Sequence, residues 1–341
     1  MLRYRSRKLS FNNNINKFMI KEIVISNLMR AKNKQSFFAL HQIQSKIKTL
    51  YPDAYIEFHI LWDNIEEGNL GDNEKWSSLI DSEINNVYSY NKDFFDNYVR
   101  EYYDLDYVEK FRTWKAIYYI LIAQYLRRVK LKHYYLIYDD DILINDDFKH
   151  ITDLLLKRTP VCITEPMNAN CDKVLFQRLV DLFGEDFYHN YVSRNPSMYG
   201  FNAGFQGIDL SIYDNFLSVD RFKTLLDLFE YKSVLDAEGK EFFGPERFLI
   251  DTQQQSFFGL MNTVMSKTEP HILNPEEYYV VPNFGLHPKF GELNPDDPTD
   301  GGWRAGLASK VTHFIGHTQG RGKPKQFLDR VDEYLRTNNF L

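Results

Sequence analysis

The sequence predicts an α/β domain on three observations. Short β-branched runs alternate with helix-period segments near the start of the chain. A long apolar helical pattern leads directly into an aromatic strand that begins at Tyr134 and ends in three consecutive carboxylates. That strand carries Asp139-Asp140-Asp141, a cluster of like charge that folding alone does not ask for.

The elements follow in order. Residues 1–18 form a basic, polar tail, with Arg3, Arg5, Arg7 and Lys8 ahead of Asn12 to Asn14. Met19 stands just before Ile20 to Ser26, whose β-branched residues suit a central strand. Gln35 to Leu50 has helical spacing, with Phe38, Ile43, Ile47 and Leu50 as apolar positions, and Pro52 ends it. Ala54 to Leu61 is a second strand, so the opening unit is strand, helix, parallel strand. No Gly-rich loop follows the first strand, which removes dinucleotide-binding and P-loop readings.

Asp63 to Asp106 is expected to be loops with short helices, and Val108 to Val129 a strong helix. Pro160 to Glu165 reads as a short strand, Gly200 to Asp209 as a strand pair, and Glu246 to Met261 as a helix. Pro282 to Gly306, rich in Pro, Gly, Asp and Asn, has the composition of a lid or acceptor loop. Val311 to His317, a Gly-rich turn and a helix over Lys325 to Arg336 close the chain, and there is no internal repeat.

Composition bounds the class. At 341 residues, with 43% hydrophobic and 26% charged residues, the chain fits one large α/β domain or two small ones. A net charge of -6 argues against a general nucleic-acid binder. The high aromatic content, 16%, serves cores more often than sugar stacking. Cys162 and Cys171 make neither a zinc pattern nor a disulfide framework, so reduced thiols are expected. No apolar run reaches membrane-spanning length and there is no signal-peptide core; the expectation is a cytoplasmic protein without integral membrane contact.

The triplet carries the chemistry. Asp139 and Asp141 point the same way if the strand continues, because side chains alternate with a period of two. Two hard oxygen donors on one face suit Mg²⁺ or Mn²⁺ beside a substrate phosphate. Read structurally, the triplet is a strand-terminating Asx turn.

Four features then fall in a set order: the triplet, Phe201-Asn202-Ala203-Gly204, Asp251 ahead of Gln253-Gln254-Gln255, and His313-Phe-Ile-Gly316. That order resembles metal-dependent glycosyltransferases of the GT-A fold, nearest to the retaining group of glycogenin and the lipopolysaccharide galactosyltransferases. The resemblance spans about Arg112 to Pro324 and implies a single GT-A domain with a Rossmann-like mixed sheet flanked by helices. Residues 19–155 would be its nucleotide-sugar-binding half, and 156–341 its acceptor-binding and catalytic half, with the late metal and phosphate motif.

By resemblance, Asp139, Asp141 and His313 hold Mn²⁺ (or Mg²⁺), Asp139 also lies near the donor ribose, and Asp140 turns toward donor hydroxyls. The donor implied is a UDP-sugar, whose departing diphosphate a divalent cation stabilises. The family's late His-x-x-Gly-x-x-Lys-Pro-Trp is matched at His313 and Gly316, and Lys323-Pro324 follows after a longer gap with Lys325 in place of Trp. Lys323 is the candidate for the diphosphate, with His317 and Arg321 as substitutes and Gly320 and Gly322 giving backbone amides access.

Asn202 matches the residue that reaches the donor sugar. Asp251 stands where the family has Asp-Gln; Thr252 intervenes, so the amide falls to Gln253 or Gln254. Asp251 is either a nucleophile or an electrostatic stabiliser in retaining transfer; in inverting transfer Asp251 or Glu246 is the base. Arg112, then Lys115, match the basic residue that holds the donor. Ile25 to Asn27 border the nucleotide base by the crevice rule, and Trp303 either stacks on the acceptor or anchors the core.

The acceptor stays open among a glycan, a protein hydroxyl and a nucleobase hydroxyl. High Asn and Lys usage keeps a virus- or phage-type enzyme acting on modified DNA bases as an alternative. A haloacid-dehalogenase-type phosphohydrolase also ends a strand in Asp-x-Asp, but on its first strand. A non-catalytic sugar-binding module is the third class, and intact metal-ligand candidates count against it.

Overall fold

A computed structural model describes residues 21–29, 32–62, 74–104, 114–145, 148–163, 169–194, 204–228, 257–274, 277–281, 286–287, 291–292, 309–314 and 325–341. In chain order these form β1 (Glu22–Met29), α1 (Lys34–Leu50), β2 (Tyr55–Trp62), α2 (Glu74–Glu83), β3 (Val87–Tyr90), α3 (Lys92–Tyr103) and α4 (Trp114–Arg128). There follow β4 (Tyr134–Tyr138), β5 (Ile142–Ile144), α5 (Lys149–Leu156), β6 (Val161–Ile163), α6 (Ala169–Phe183), α7 (Glu185–Arg194), β7 (Phe205–Asp209) and α8 (Val219–Leu228). The rest are α9 (257–265), β8 (His271–Leu273), β9 (Tyr278–Val281), β10 (Leu286–His287), β11 (Gly291–Glu292), β12 (Val311–Phe314) and α10 (Lys325–Thr337).

A seven-stranded mixed sheet runs β3-β2-β1-β4-β7-β6-β8, and a three-stranded sheet runs β5-β12-β9. β1, β2, β3 and β4 are mutually parallel, and β7 is antiparallel to both its neighbours. Strand alternation divides the core into two faces. Ile23 and Ile25 of β1 join Leu136 and Tyr138 of β4 in one cluster under α1, while Val24 and Leu28 join Tyr135 and Ile137 under α4. This is the mixed α/β sheet flanked by helices that the family resemblance implies.

The helices form for local reasons. Asn33 caps α1 by accepting from the backbone N–H of Gln35 and Ser36, and Ser36 answers with its hydroxyl at the Asn33 N–H. Phe37, Phe38, Leu40, Ile43 and Ile47 bury its inner face, whereas Leu50, counted above as an apolar position, is exposed at the end. From Tyr118 to Leu126 every residue of α4 is buried, as in a helix enclosed on all sides, and Gln124 donates to the Phe216 carbonyl at 3.0 Å. In α10, Phe327, Val331 and Leu335 repeat every four residues and close the first cluster.

Several boundaries differ from expectation. The segment expected to be irregular after β2 contains β3, which extends the sheet edge. Gly200 to Asp209 is not a strand pair in its described part: Phe205–Asp209 is one strand lying between β4 and β6. Gly207 in that strand is needed for space, since a Cβ there would lie 1.8 Å from the Tyr134 hydroxyl oxygen. Cys162 is a buried free thiol in β6, and burial pushes its pKa up to about 12, so it stays protonated.

Candidate metal and donor site

The run from Tyr134 to Ile144 spans two strands, and the first ends just before the aspartates as the sequence predicts. β4 ends at Tyr138, Asp140 and Asp141 form a turn, and β5 leaves for the second sheet. Asp139 and Asp141 therefore do not converge by strand alternation; the turn between the sheets brings them together. β12 pairs antiparallel with β5 and sets His313 opposite Ile142, one residue past Asp141. The Phe314 N–H closes the corner on the Asp141 carbonyl at 2.9 Å, and the Asp139 N–H binds the Gly204 carbonyl at 3.0 Å.

His313 Nε2 then lies 3.0 Å from Asp141 Oδ1 and 3.9 Å from Asp139 Oδ2. The three ligand atoms fall within 4.8 Å of one another, and Asp140 is not among them. Octahedral bonds of about 2.1 Å place adjacent ligands about 3.0 Å apart and opposite ones about 4.2 Å. Two carboxylates and one imidazole at these separations fit a divalent cation such as Mn²⁺ or Mg²⁺.

Neighbouring groups orient the ligands. The Tyr278 hydroxyl sits 2.7 Å from His313 Nδ1. With Nδ1–H donating to that oxygen, the Nε2 lone pair is left facing the carboxylates. The buried Tyr119 hydroxyl donates to Asp139 Oδ1 at 3.0 Å; burial first, and then the Asp139 charge, hold its pKa well above the usual value, so it remains a donor. Buried Gln42 of α1 donates to the Tyr138 hydroxyl and to the Ile142 carbonyl at 2.5 Å, and accepts the Ile144 N–H at 3.0 Å. It thus clamps both sides of the aspartate turn and satisfies backbone groups on the free edge of β5.

Beside β4, the end of β1 carries buried Ser26 and Asn27, whose side-chain polar atoms have no hydrogen-bond partner among the described residues. Polar groups left unpaired at the carboxyl end of parallel strands mark the crevice where a polar ligand seats.

Of the residues expected at the site, the structure brings together Asp139, Asp141 and His313, with Asp140 in the same turn. Lys115 lies in the first turn of α4, its side chain outside the described residues. Arg112, Asn202, Glu246, Asp251, Gln253, Gln254, Trp303, Gly316, His317, Arg321 and Lys323 all lie outside the described residues, as do the 1–18 tail and most of Pro282 to Gly306. Sequence reasoning missed Gln42, Tyr119 and Tyr278. Gln42 had one signal, a polar residue four positions after Phe38 on a buried helix face; the two tyrosines look like ordinary core aromatics.

No protein-family model and no curated protein matches this sequence. The chain is similar in structure to an active-site mutant of LgtC, at 15% identity over 93% of this chain and 95% of that one, with a TM-score of 0.45. It is similar to galactosyltransferase LgtC in complex with donor and acceptor sugar analogues, at 15% identity over 93% and 99%, with a TM-score of 0.43. Mouse xyloside xylosyltransferase 1 gives 12% identity over 89% and 100%, with a TM-score of 0.43. Overlaps this loose carry no argument about the reaction, which rests on the site itself.

Proposed function

We propose that this chain is a metal-dependent glycosyltransferase. It moves a sugar from a nucleotide-diphosphate donor, a UDP-sugar, to an acceptor hydroxyl with retention at the anomeric carbon. The observation that carries the reading is the convergence of Asp139, Asp141 and His313 from two sheets onto one point. The motif order along the sequence supports it: the remaining motifs lie between the triplet and His313 or just after it.

A divalent ion, Mn²⁺ or Mg²⁺, supplies Lewis-acid stabilisation of the diphosphate that leaves. Asp139, Asp141 and His313 hold it, and Tyr278 and Tyr119 fix the orientation of two of these ligands. Asn27 and Ser26 offer hydrogen bonds to the donor at the end of β1. Lys323, with Arg112 and Lys115, would meet the diphosphate, Gly316 would admit it, and Asp140 and Asn202 would contact the sugar. Asp251, with Gln253 or Gln254, would act at the reacting carbon. The acceptor is a glycan, protein or nucleobase hydroxyl, and no described helix is long and apolar enough to cross a membrane.

The test is a donor screen: nucleoside diphosphate release from each nucleotide sugar, with Mn²⁺ and with EDTA, for the wild type and Asp141→Ala. Metal-dependent release from one UDP-sugar, lost in the variant, is expected. Equal activity in EDTA would overturn the metal assignment, and NMR of the product's anomeric proton reads retention directly.

A further inference from the structure

A second cluster of ligand-type side chains lies away from the aspartate turn. His150 stands in the first turn of α5, His271 begins β8, and Glu277 precedes β9. His150 Nε2 and His271 Nε2 each lie 3.1 Å from Glu277 Oε1, and His271 Nε2 is 3.2 Å from Oε2. All three residues offer ligand atoms within 4.8 Å of one another. Glu277 is 6% exposed, so its carboxylate is withdrawn from water and must be met by protein or by an ion.

The carboxylate is also held in place. Its Oε2 accepts the Asn274 N–H at 3.0 Å, and the Glu277 N–H returns to the Asn274 carbonyl at 2.9 Å and side chain at 3.1 Å. Backbone bonding of this kind orients a ligand before any ion arrives. Tetrahedral Zn²⁺ bonds of about 2.0 Å put ligand atoms about 3.3 Å apart, close to the spacing found here.

We propose that His150, His271 and Glu277 form a second metal centre, selective for Zn²⁺ and distinct from the aspartate site. The donor sets differ in kind: two imidazoles and one carboxylate favour Zn²⁺, whereas two carboxylates and one imidazole favour a harder ion. The solvent side, where His150 and His271 are partly exposed, admits a water as fourth ligand. The ion joins α5 to β8 at the edge of the large sheet and to β9 of the small one. Glu277 immediately precedes Tyr278, so a filled centre steadies the hydroxyl that supports His313.

This inference does not depend on sugar transfer, and its readout is metal binding alone. The full chain carrying Asp141→Ala, stripped of metal with a chelator, is titrated with Co²⁺ as a spectroscopic stand-in for Zn²⁺, then with Zn²⁺ in competition. One equivalent with the intense visible bands of four-coordinate Co²⁺, displaced by Zn²⁺, is expected. Adding His150→Ala or His271→Ala should weaken binding by about tenfold or more and remove the bands. His150 is half exposed, so its replacement leaves folding intact even if loss of His271 does not. Binding unchanged by both replacements, or no tight binding in the Asp141→Ala chain, overturns the proposal.

Discussion

At Glu57, a carboxylate 6% exposed meets His59 at 3.3 Å and Lys132 at 2.7 Å; at Asp141, a carboxylate 7% exposed meets His313 at 3.0 Å, with Asp139 3.9 Å from the same nitrogen. Both are buried acids beside a histidine, and their settings differ in charge. Lys132 reaches Glu57 and also Glu22 at 2.5 Å, and Tyr55 donates to Glu57 at 3.1 Å, so the cluster on β2 carries its own cation. Burial alone would raise the Glu57 pKa, but hydrogen bonds from His59 and Lys132 outweigh it and hold the carboxyl down at about 2. The cluster at the aspartate turn instead gathers two carboxylates on one imidazole. The first is a structural clamp; the second has the donor set of a cation site.

Replacements should separate the two. Lys132→Met removes the cation from a buried carboxylate and should cost about 3 kcal/mol of stability, measured by urea unfolding, with metal binding unchanged. Asp141→Asn should do the reverse, abolishing Mn²⁺ binding by calorimetry while leaving the unfolding midpoint nearly unchanged, since it relieves repulsion with Asp139. A large loss of stability in Asp141→Asn would erase the contrast.

Gln42→Leu probes the support of the metal corner. It strands the Ile142 carbonyl and the Ile144 N–H in a buried setting, and should destabilise by about 2 kcal/mol in the same unfolding measurement. Tyr278→Phe is milder: it should weaken Mn²⁺ binding about tenfold, because His313 loses the partner that fixes its tautomer. Unaltered affinity would show that Tyr278 does not orient the ligand.

Titration gives the most gradual effect. The Glu57 pKa falls from 4.5 unfolded to about 2 folded, so its contribution is complete above 4.5 and is lost as pH falls toward 2. Burial also lowers the His59 pKa from 6.5, so the unfolded chain takes up that proton first and stability begins to fall below 6.5. Glu57→Gln should flatten the lower limb of a stability-against-pH curve and deepen the fall below 6.5, because the Glu57 carboxylate is what raises the His59 pKa against burial.

How much of this was legible follows from particular residues. The continuous apolar runs at Ile23 to Ile25 and Tyr134 to Tyr138 announced buried strands, and the observed core divides on their alternate faces. β3 was missed because Val87 to Tyr90 is a short edge strand with Tyr88 and Ser89 exposed, so no apolar pattern marks it. Asp139, Asp141 and His313 were named from residue type and motif order. Gln42, Tyr119 and Tyr278 were not, since a buried amide or phenol differs from core filling only through the partner it reaches. The same holds for His150, His271 and Glu277, which no spacing along the chain connects.

The sequence by itself determined that an early β-branched run is a central strand, that a long helix leads into the aromatic strand, and that three adjacent carboxylates end that strand. Local pattern suffices there, because side-chain periodicity and charge repulsion act between near neighbours. Only the tertiary structure decided that the chain changes sheets at Asp140 and Asp141, and that β12 returns beside β5 to place His313 against them. Pairing between strands so distant in sequence is set by the register of backbone hydrogen bonds and by which faces can be buried together. Neither of these is written in the order of residues around the site.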